Sequence, residues 1–222
     1  RAIGPVWPVL TIFALVIGGI YTGAFSPTAA AAVGVAGTAV VALAKGGLTW
    51  VGLRNALLST GQTSAMIFFI IIAAGVFNSF LSAAQVPQSL AAWFLETDLN
   101  PWLILSGMLL LYLILGTVMD SLAMIFLTVP IFVPIVTQLD FGIPPAEVGI
   151  WFGILVLMAA EVGLITPPVG LNLFVINAMA KDVRIGETYR GALPFVISDI
   201  LRITLLVAFP PITLWRVRLF YG

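Results

Sequence analysis

Two stretches of the sequence carry residues able to do chemistry. One is Gly116-Thr117-Val118-Met119-Asp120-Ser121; the other runs Glu161-Val162-Gly163-Leu164-Ile165-Thr166-Pro167-Pro168-Val169-Gly170-Leu171-Asn172. Each sets hydroxyls, a carboxylate or amide, glycines or prolines in the middle of a long apolar run. Proline has no amide donor and clashes with the preceding helical turn, and the residue before it is pushed out of the α region. A helix entering Pro167-Pro168 must therefore unwind. In lipid an unpaired backbone group costs several kcal/mol, so broken backbone at depth persists only inside protein or beside water. Two broken helices in one chain point to a binding site near the bilayer midplane. Freed carbonyls and hydroxyl oxygens suit a hard cation, and half-helix N-termini suit an anion. The same residues also fit proline-kinked helices with polar turns at the bilayer surface.

Asp120 is the only formal charge in residues 102–139. A carboxylate in mid-bilayer is costly and usually functional, which offers direct ion or proton work. It is equally placed to cap the second arm of that stretch at its N-terminus. Glu161 is expected to pair with a polar neighbour. Asp199 and Arg202 stand three apart, share a helix face and are expected to form a structural ion pair. Arg202 is the only basic residue well inside a span, so an anion bound at either break would be met by backbone amides and hydroxyls.

The elements that must position these residues follow from composition. The chain has 222 residues, of which 61% are hydrophobic and 8% charged, and its mean hydropathy is +1.18. A soluble domain is about 45–50% apolar and about 25% charged, so the excess apolar surface must face lipid. At ~20 residues per span the chain holds about six to eight hydrophobic segments. With no Cys there are no disulfides or thiolate nucleophiles, and with no His there is no Ser–His catalysis and little prospect of zinc; a rhomboid-like protease is excluded. Neither Lys45 nor Lys181 lies in a phosphate-binding Gly-rich loop. Nine basic residues balance nine acidic ones, leaving no basic field for nucleic acid. The start at Arg1, without a signal-peptide pattern, leads us to expect one part of a longer polypeptide.

The first apolar run covers residues 6–25. Ser26-Pro27-Thr28 is a turn in which Thr28 can cap the next helix, residues 29–44, whose small side chains predict burial against a neighbour. Residues 48–63 mix Leu48, Trp50, Leu53 and Leu57 with Arg54, Asn55, Ser59 and Gln62, a pattern shared by an interfacial amphipathic helix and a connector helix. Residues 65–84 form a full span. Val86-Pro87 opens a short segment ending at Glu96. Residues 102–139 make two short helices, the second broken by Pro130 and Pro134. Residues 140–147 form a return loop, 149–177 an interrupted span and 181–190 a charged loop. The last span covers 192–215. If 102–139 leaves and returns on one side, then Arg1, Lys45, Arg54, Lys181, Arg184 and Arg190 share a face, expected to be cytoplasmic. Arg216 and Arg218 then fall opposite, beside Glu96, Asp98, Asp140 and Glu147.

At these residues the sequence resembles a family. The run from Gly116 through Pro130 to Pro134 resembles the hairpin signature of the large membrane subunit of TRAP (tripartite ATP-independent periplasmic) transporters. Gly163-Leu-Ile-Thr166-Pro-Pro-Val-Gly170-Leu-Asn172 resembles the second signature of that subunit. Gly19-Ile-Tyr-Thr-Gly-Ala-Phe-Ser-Pro-Thr is similar to a third stretch, with Ala29 where the family carries Glu. The likeness covers nearly the whole chain and corresponds to the second of two inverted repeats.

The resemblance implies an all-α integral membrane protein: a helical bundle with a re-entrant hairpin and an unwound transmembrane helix, one half of an elevator-type transporter. It implies scaffold-like spans and an interfacial helix in 1–63, a span and periplasmic connector in 64–100, a transport region in 101–190 and a last transmembrane helix in 191–222. It implies sodium-coupled import of organic acid anions, such as C4-dicarboxylates or sialic acid, across the bacterial inner membrane, with no organic cofactor and no enzyme activity. The implied partners are a periplasmic binding protein, a small membrane subunit (separate or fused), the first repeat of the same subunit and the lipid bilayer. Sodium would be held by Gly116, Thr117, Ser121, Gly163, Thr166, Pro167 and Gly170; substrate would meet Thr117, Asp120, Pro168 and Asn172.

Two other classes compete. A channel or pore needs rings of polar residues on several spans, whereas polarity here is confined to two breaks. An intramembrane aspartyl protease would pair Asp120 with Asp199, but neither lies in a G-x-G-D motif and Arg202 offers Asp199 a partner.

Overall fold

A computed structural model describes residues 3–97, 99–179 and 183–221. These residues are helical, with no strand among them. Four helices are long and apolar enough to cross a membrane, and three more are shorter apolar helices. Arg1, Asp98 and Lys181, which entered the charge pattern read from the sequence, lie outside the described residues. Close packing divides the chain into two units, residues 1–65 and 66–222.

In the first unit α1 (Ile3–Tyr21) and α2 (Pro27–Ala44) pack antiparallel. Gly37 lies over Ile12 and Gly34 over Val16, a Cβ on each meeting the facing side chain at 3.2 and 3.5 Å. The turn between them closes on Phe25, whose ring fills the space a side chain on Gly19 would need. The cap of α2 is Ser26 rather than Thr28: its hydroxyl accepts from Ala29 N at 3.3 Å, and Pro27 occupies the first helical position. That order follows from proline's fixed φ and missing amide, which suit the first turn. The burial expected for α2 is not met, since only Ala30 is buried among the described residues.

Helix α3 (Trp50–Ala83) straddles the two units. Residues 48–63 and 65–84, read from the sequence as separate segments, form one uninterrupted helix. Gln62, Thr63 and Ser64 change the polarity there but supply no proline to stop the backbone.

The second unit is organised around α7 (Pro145–Leu164), which packs against α5 (Pro101–Gly116), α6 (Ser121–Val136), α8 (Leu171–Met179), α9 (Ile185–Ala208) and α10 (Pro211–Tyr221). Trp151, Phe152, Leu155, Val156, Ala159 and Ala160 are buried. Large side chains lie toward the start of α7 and small ones toward its end, so α5 approaches most closely there. Trp151 joins Trp102 and Phe141 in an edge-to-face aromatic cluster with centroids 5.3 to 6.1 Å apart. α4 (Val86–Glu96) packs on α6.

Pro130 and Pro134 do not break the second arm, for α6 runs through both. Proline at 130 has no amide to give the carbonyl of Phe126, one turn earlier. Asn78 on α3 supplies the missing donor, its Nδ2 reaching Phe126 O at 2.9 Å. The same arrangement recurs at the end of α9. Pro210 cannot serve the carbonyl of Leu206, and the buried Trp151 indole donates to it at 3.0 Å. Pro210-Pro211 also divides the expected last span into α9 and α10, and residues 185–190, expected in a loop, open α9. In the first turn of α7, Glu147 is gripped by Arg218 through Nε and Nη2 at 2.6 to 3.1 Å.

Asn78→Leu leaves the Phe126 carbonyl without this donor and is expected to destabilise the protein by about 0.5–1.5 kcal/mol, the net contribution of a hydrogen bond. In a Pro130→Ala background the new amide reaches that carbonyl, so the same change should cost less than half as much. Denaturation of the purified single and double variants in detergent measures this coupling; equal costs in both backgrounds would show that the two residues act independently.

Candidate functional site

The two interrupted stretches meet. Gly116 ends α5 and Gly163 lies in the last turn of α7, and their backbones touch. A Cβ on Gly163 would sit 2.6 Å from Gly116 Cα, 2.8 Å from its carbonyl carbon and 2.9 Å from Leu113 O. A Cβ on Gly116 would sit 2.8 Å from Ala160 O and 3.1 Å from Gly163 Cα. No side chain larger than hydrogen fits at either position without moving backbone.

From this contact the hairpin turns through residues 117–120 into α6. Thr117, with 6% of its surface exposed, is the buried polar residue among those described. Its hydroxyl donates to Ile114 O at 2.8 Å. A hydroxyl has one proton and two lone pairs, so Oγ1 keeps the capacity to face a cation. Asp120 is the N-cap of α6: Oδ2 accepts from Leu122 N at 3.1 Å and Ala123 N at 3.3 Å. Of the two roles open to Asp120 in the sequence, capping is the one the geometry displays. Ser121, half-buried, is the first residue of α6. Below the turn, Tyr112 Oη lies 2.6 Å from Thr128 Oγ1, joining the two arms.

At the other break α7 stops at Leu164 and α8 begins at Leu171, as Pro167-Pro168 requires. Those prolines withhold the amides that Gly163 O and Leu164 O would use in a continuing helix. Thr166 N takes Gly163 O at 2.9 Å, and the Thr166 hydroxyl donates to Val162 O at 2.6 Å. The carbonyls of Leu164 and Thr166 receive no hydrogen bond among the described residues. Both lie close to Gly170, where a Cβ would meet Thr166 O at 3.1 Å and Leu164 O at 3.3 Å. Gly170 has φ +57, so glycine is required there on conformational grounds too. Its own carbonyl accepts from Leu173 N at 2.8 Å and restarts the helix.

The carbonyls of Pro168 and Val169 have a different partner. The Tyr189 hydroxyl, from the second turn of α9, lies 2.8 and 2.9 Å from them and shares its one proton between the two in a three-centre hydrogen bond. Its neighbour Thr188 donates to Asn177 Oδ1 on α8 at 3.0 Å. Sequence reasoning placed both residues in a loop and missed them. Asn78 and Trp151 carried a usable signal: a proline marks the carbonyl four residues before it as needing a donor, and these are polar donors on apolar helices.

Pro167, Pro168 and Asn172 are exposed, the last in the first turn of α8. Glu161 is also exposed, and the expected pairing with a polar neighbour is absent among the described residues. Asp199 and Arg202 do form their ion pair, at 2.7 Å. The described residues hold no group of three His, Cys, Asp or Glu that would bind a metal ion. The donors are instead carbonyl and hydroxyl oxygens, which fit a hard cation rather than a transition metal.

A family model for the tripartite ATP-independent periplasmic transporter, DctM component, matches residues 1–212. The chain is similar to the C4-dicarboxylate TRAP transporter large permease protein DctM of Pseudomonas aeruginosa, with 39% identity over 92% of this chain and 47% of that protein. It is 34% identical to the sialic acid TRAP transporter large permease protein SiaM of Vibrio cholerae over 94% of this chain and 47% of that protein. Similarity to the isethionate TRAP transporter permease protein DctMQ of Oleidesulfovibrio alaskensis is 32% over 91% of this chain and 31% of that protein. The chain thus spans about half the length, or less, of these curated relatives.

The glycine contact gives a sharp contrast within one helix. Gly163→Ala drives a methyl into backbone and is expected to destabilise by at least the ~1–3 kcal/mol of an overpacked core site. Gly153→Ala, also on α7 but with no described atom within 4 Å of its Cβ, is expected to be neutral or to stabilise by about 0.4–1 kcal/mol. Thermal melting of the two purified variants tests this; a well-tolerated Gly163→Ala would mean that the hairpin tip and α7 are farther apart than described.

Proposed function

The chain belongs to the family of the DctM component of tripartite ATP-independent periplasmic transporters, and we propose that it is the second-repeat half of a large permease subunit that imports organic acid anions together with sodium. The observation that carries this reading is the backbone contact of Gly116 with Gly163, which joins two interrupted helices at one point. On the residues flanking it are carbonyls without donors among the described residues, at Leu164 and Thr166, and hydroxyl lone pairs, at Thr117 and Thr166. An oxygen-only set of this kind suits sodium. Gly116, Thr117, Ser121, Gly163, Thr166, Pro167 and Gly170 are its proposed surroundings.

The anion side is proposed at Thr117, Asp120, Pro168 and Asn172, where the starts of α6 and α8 present positive dipole ends; the first-turn amides Leu122 N and Ala123 N of α6 are already taken by Asp120. Asp120 serves here by fixing the start of α6. The hairpin reading is supported by length: α5 and α6 have 16 residues each, about 24 Å of helix against a hydrocarbon core of about 30 Å. We place the site in a transport region, 101–190, that moves by an elevator mechanism. Residues 1–63 belong to the scaffold, 64–100 to a span and periplasmic connector, and 191–222 to the last transmembrane segment, which α9 and α10 share. The relatives' names specify C4-dicarboxylate, sialic acid and isethionate, so an organic acid anion is the proposed substrate class. The proposed assembly includes the first repeat, a small membrane subunit and a periplasmic binding protein, in the bacterial inner membrane.

The test is uptake by proteoliposomes holding the full-length subunit with its small subunit and binding protein. Succinate, sialic acid and isethionate are offered in turn. Uptake of at least one should fall at least tenfold when an inward sodium gradient is replaced by potassium. Thr166→Ala should raise the sodium concentration for half-activation several-fold while costing no more than the ~0.5–1.5 kcal/mol of a buried hydroxyl hydrogen bond. A large sodium-independent conductance in place of saturable uptake would overturn the carrier reading in favour of a pore.

A further inference from the structure

We propose that Tyr189 is a positioning residue of the cation site: by holding two carbonyls of the broken helix, it fixes the direction of the others. The inference rests on the reading of the break as a cation site.

Between Leu164 and Leu171 the backbone has no helical ladder, so its carbonyls are free to rotate unless something holds them. The structure divides them into two sets. Pro168 O and Val169 O are taken by the Tyr189 hydroxyl at 2.8 and 2.9 Å. Among the described residues Leu164 O, Ile165 O, Thr166 O and Pro167 O have no donor, and of these Leu164 O and Thr166 O lie close around Gly170. The two sets share one short peptide containing Pro167 and Pro168, whose rings fix φ. Restraining one set therefore restrains the orientation of the other.

Tyr189 suits this task. The phenol is a single donor on a rigid ring, and it sits in the second turn of α9, which itself packs on α7 and α8. The adjacent Thr188 ties α9 to Asn177 near the far end of α8, at 3.0 Å. One turn of α9 thus grips the half-helix at both ends, and the broken segment is referenced to α9. A cation site whose oxygens are already oriented binds without the ordering cost that free carbonyls would incur. Loss of the phenol hydroxyl should leave the oxygens present but unaligned.

The experiment is a sodium titration of thermal stability, made on the full-length subunit purified with its small membrane subunit, with potassium holding ionic strength constant. A ligand that binds the native state raises stability with the logarithm of its concentration above its dissociation constant, so the curve yields a sodium midpoint. Tyr189→Phe keeps the ring and removes the hydroxyl. Its midpoint should rise about three- to tenfold. Thr204→Val removes another hydroxyl hydrogen bond from α9, to Ile200 O at 2.8 Å, and should leave the midpoint within twofold. A purely structural role for Tyr189 would lower stability equally at every sodium concentration without moving the midpoint, and that result would overturn the inference. Failure of the wild type to show any stabilisation specific to sodium would instead overturn the cation site, and this inference with it. Should Tyr189→Phe not assemble, 3-fluorotyrosine at position 189 keeps ring and hydroxyl while strengthening the donor. The midpoint should then shift from the wild-type value, and an unchanged midpoint would count against the proposal.

Discussion

A carbonyl that loses its amide partner away from water must find another donor, and this requirement sets how the helices of the second unit are joined. At three places a proline creates the vacancy or lies in it and a side chain from another helix answers. Asn78 on α3 reaches Phe126 O, Trp151 on α7 reaches Leu206 O, and Tyr189 on α9 reaches Pro168 O and Val169 O. Each cap links two elements that apolar packing alone would leave free to slide. The links are directional, which dispersion contacts between aliphatic side chains are not.

Against this framework the exceptions acquire meaning. Leu164 O and Thr166 O are among the carbonyls at the break that no donor reaches among the described residues, and they lie one residue either side of Ile165, next to the turn where Gly163 meets Gly116. An unpaired polar group in a buried setting costs free energy unless something else coordinates it. Leaving these two oxygens open beside Gly170 is thus the opposite choice from the one made at Phe126 and Leu206. Packing supports it: the bulky Trp151 and Phe152 lie toward one end of α7, Ala159, Ala160 and Gly163 toward the other. The hairpin tip is admitted only at the small end.

Much of this was legible in the sequence. Apolar composition, two polar interruptions and their glycines and prolines located both breaks, and the Asp199–Arg202 spacing gave its ion pair. The unwinding at Pro167-Pro168 followed from the missing amides. The same logic failed at Pro130 and Pro134, where α6 continues, because a single proline costs a helix only one bond, and at Pro130 Asn78 restores it. Two consecutive prolines remove donors from adjacent carbonyls, and one side chain does not mend that locally. Tyr189 was illegible for another reason: its role depends on α9 beginning at Ile185, and the charges at 184–190 read as a loop. The join of residues 48–63 to 65–84 escaped because polarity changes there while backbone propensity does not. The Arg218–Glu147 pair, formed across 71 positions of sequence, lies beyond any local pattern, although both residues fell on the same side in the charge count.

The contact between Gly116 and Gly163 has a mechanical side. Ordinary helix packing interlocks, knobs in holes, and a displacement of a few ångströms forces side chains over rotamer barriers. Here two bare backbones face one another, with nothing projecting from either. Such a joint has neither teeth nor detents. It bears load in compression, because the chains cannot come closer, and at the contact itself no side chain sets a barrier to a tilt or glide of the hairpin tip across the end of α7. A hinge at this place would wear no side chain in its bearing, and its stops would have to be supplied by groups standing some distance away.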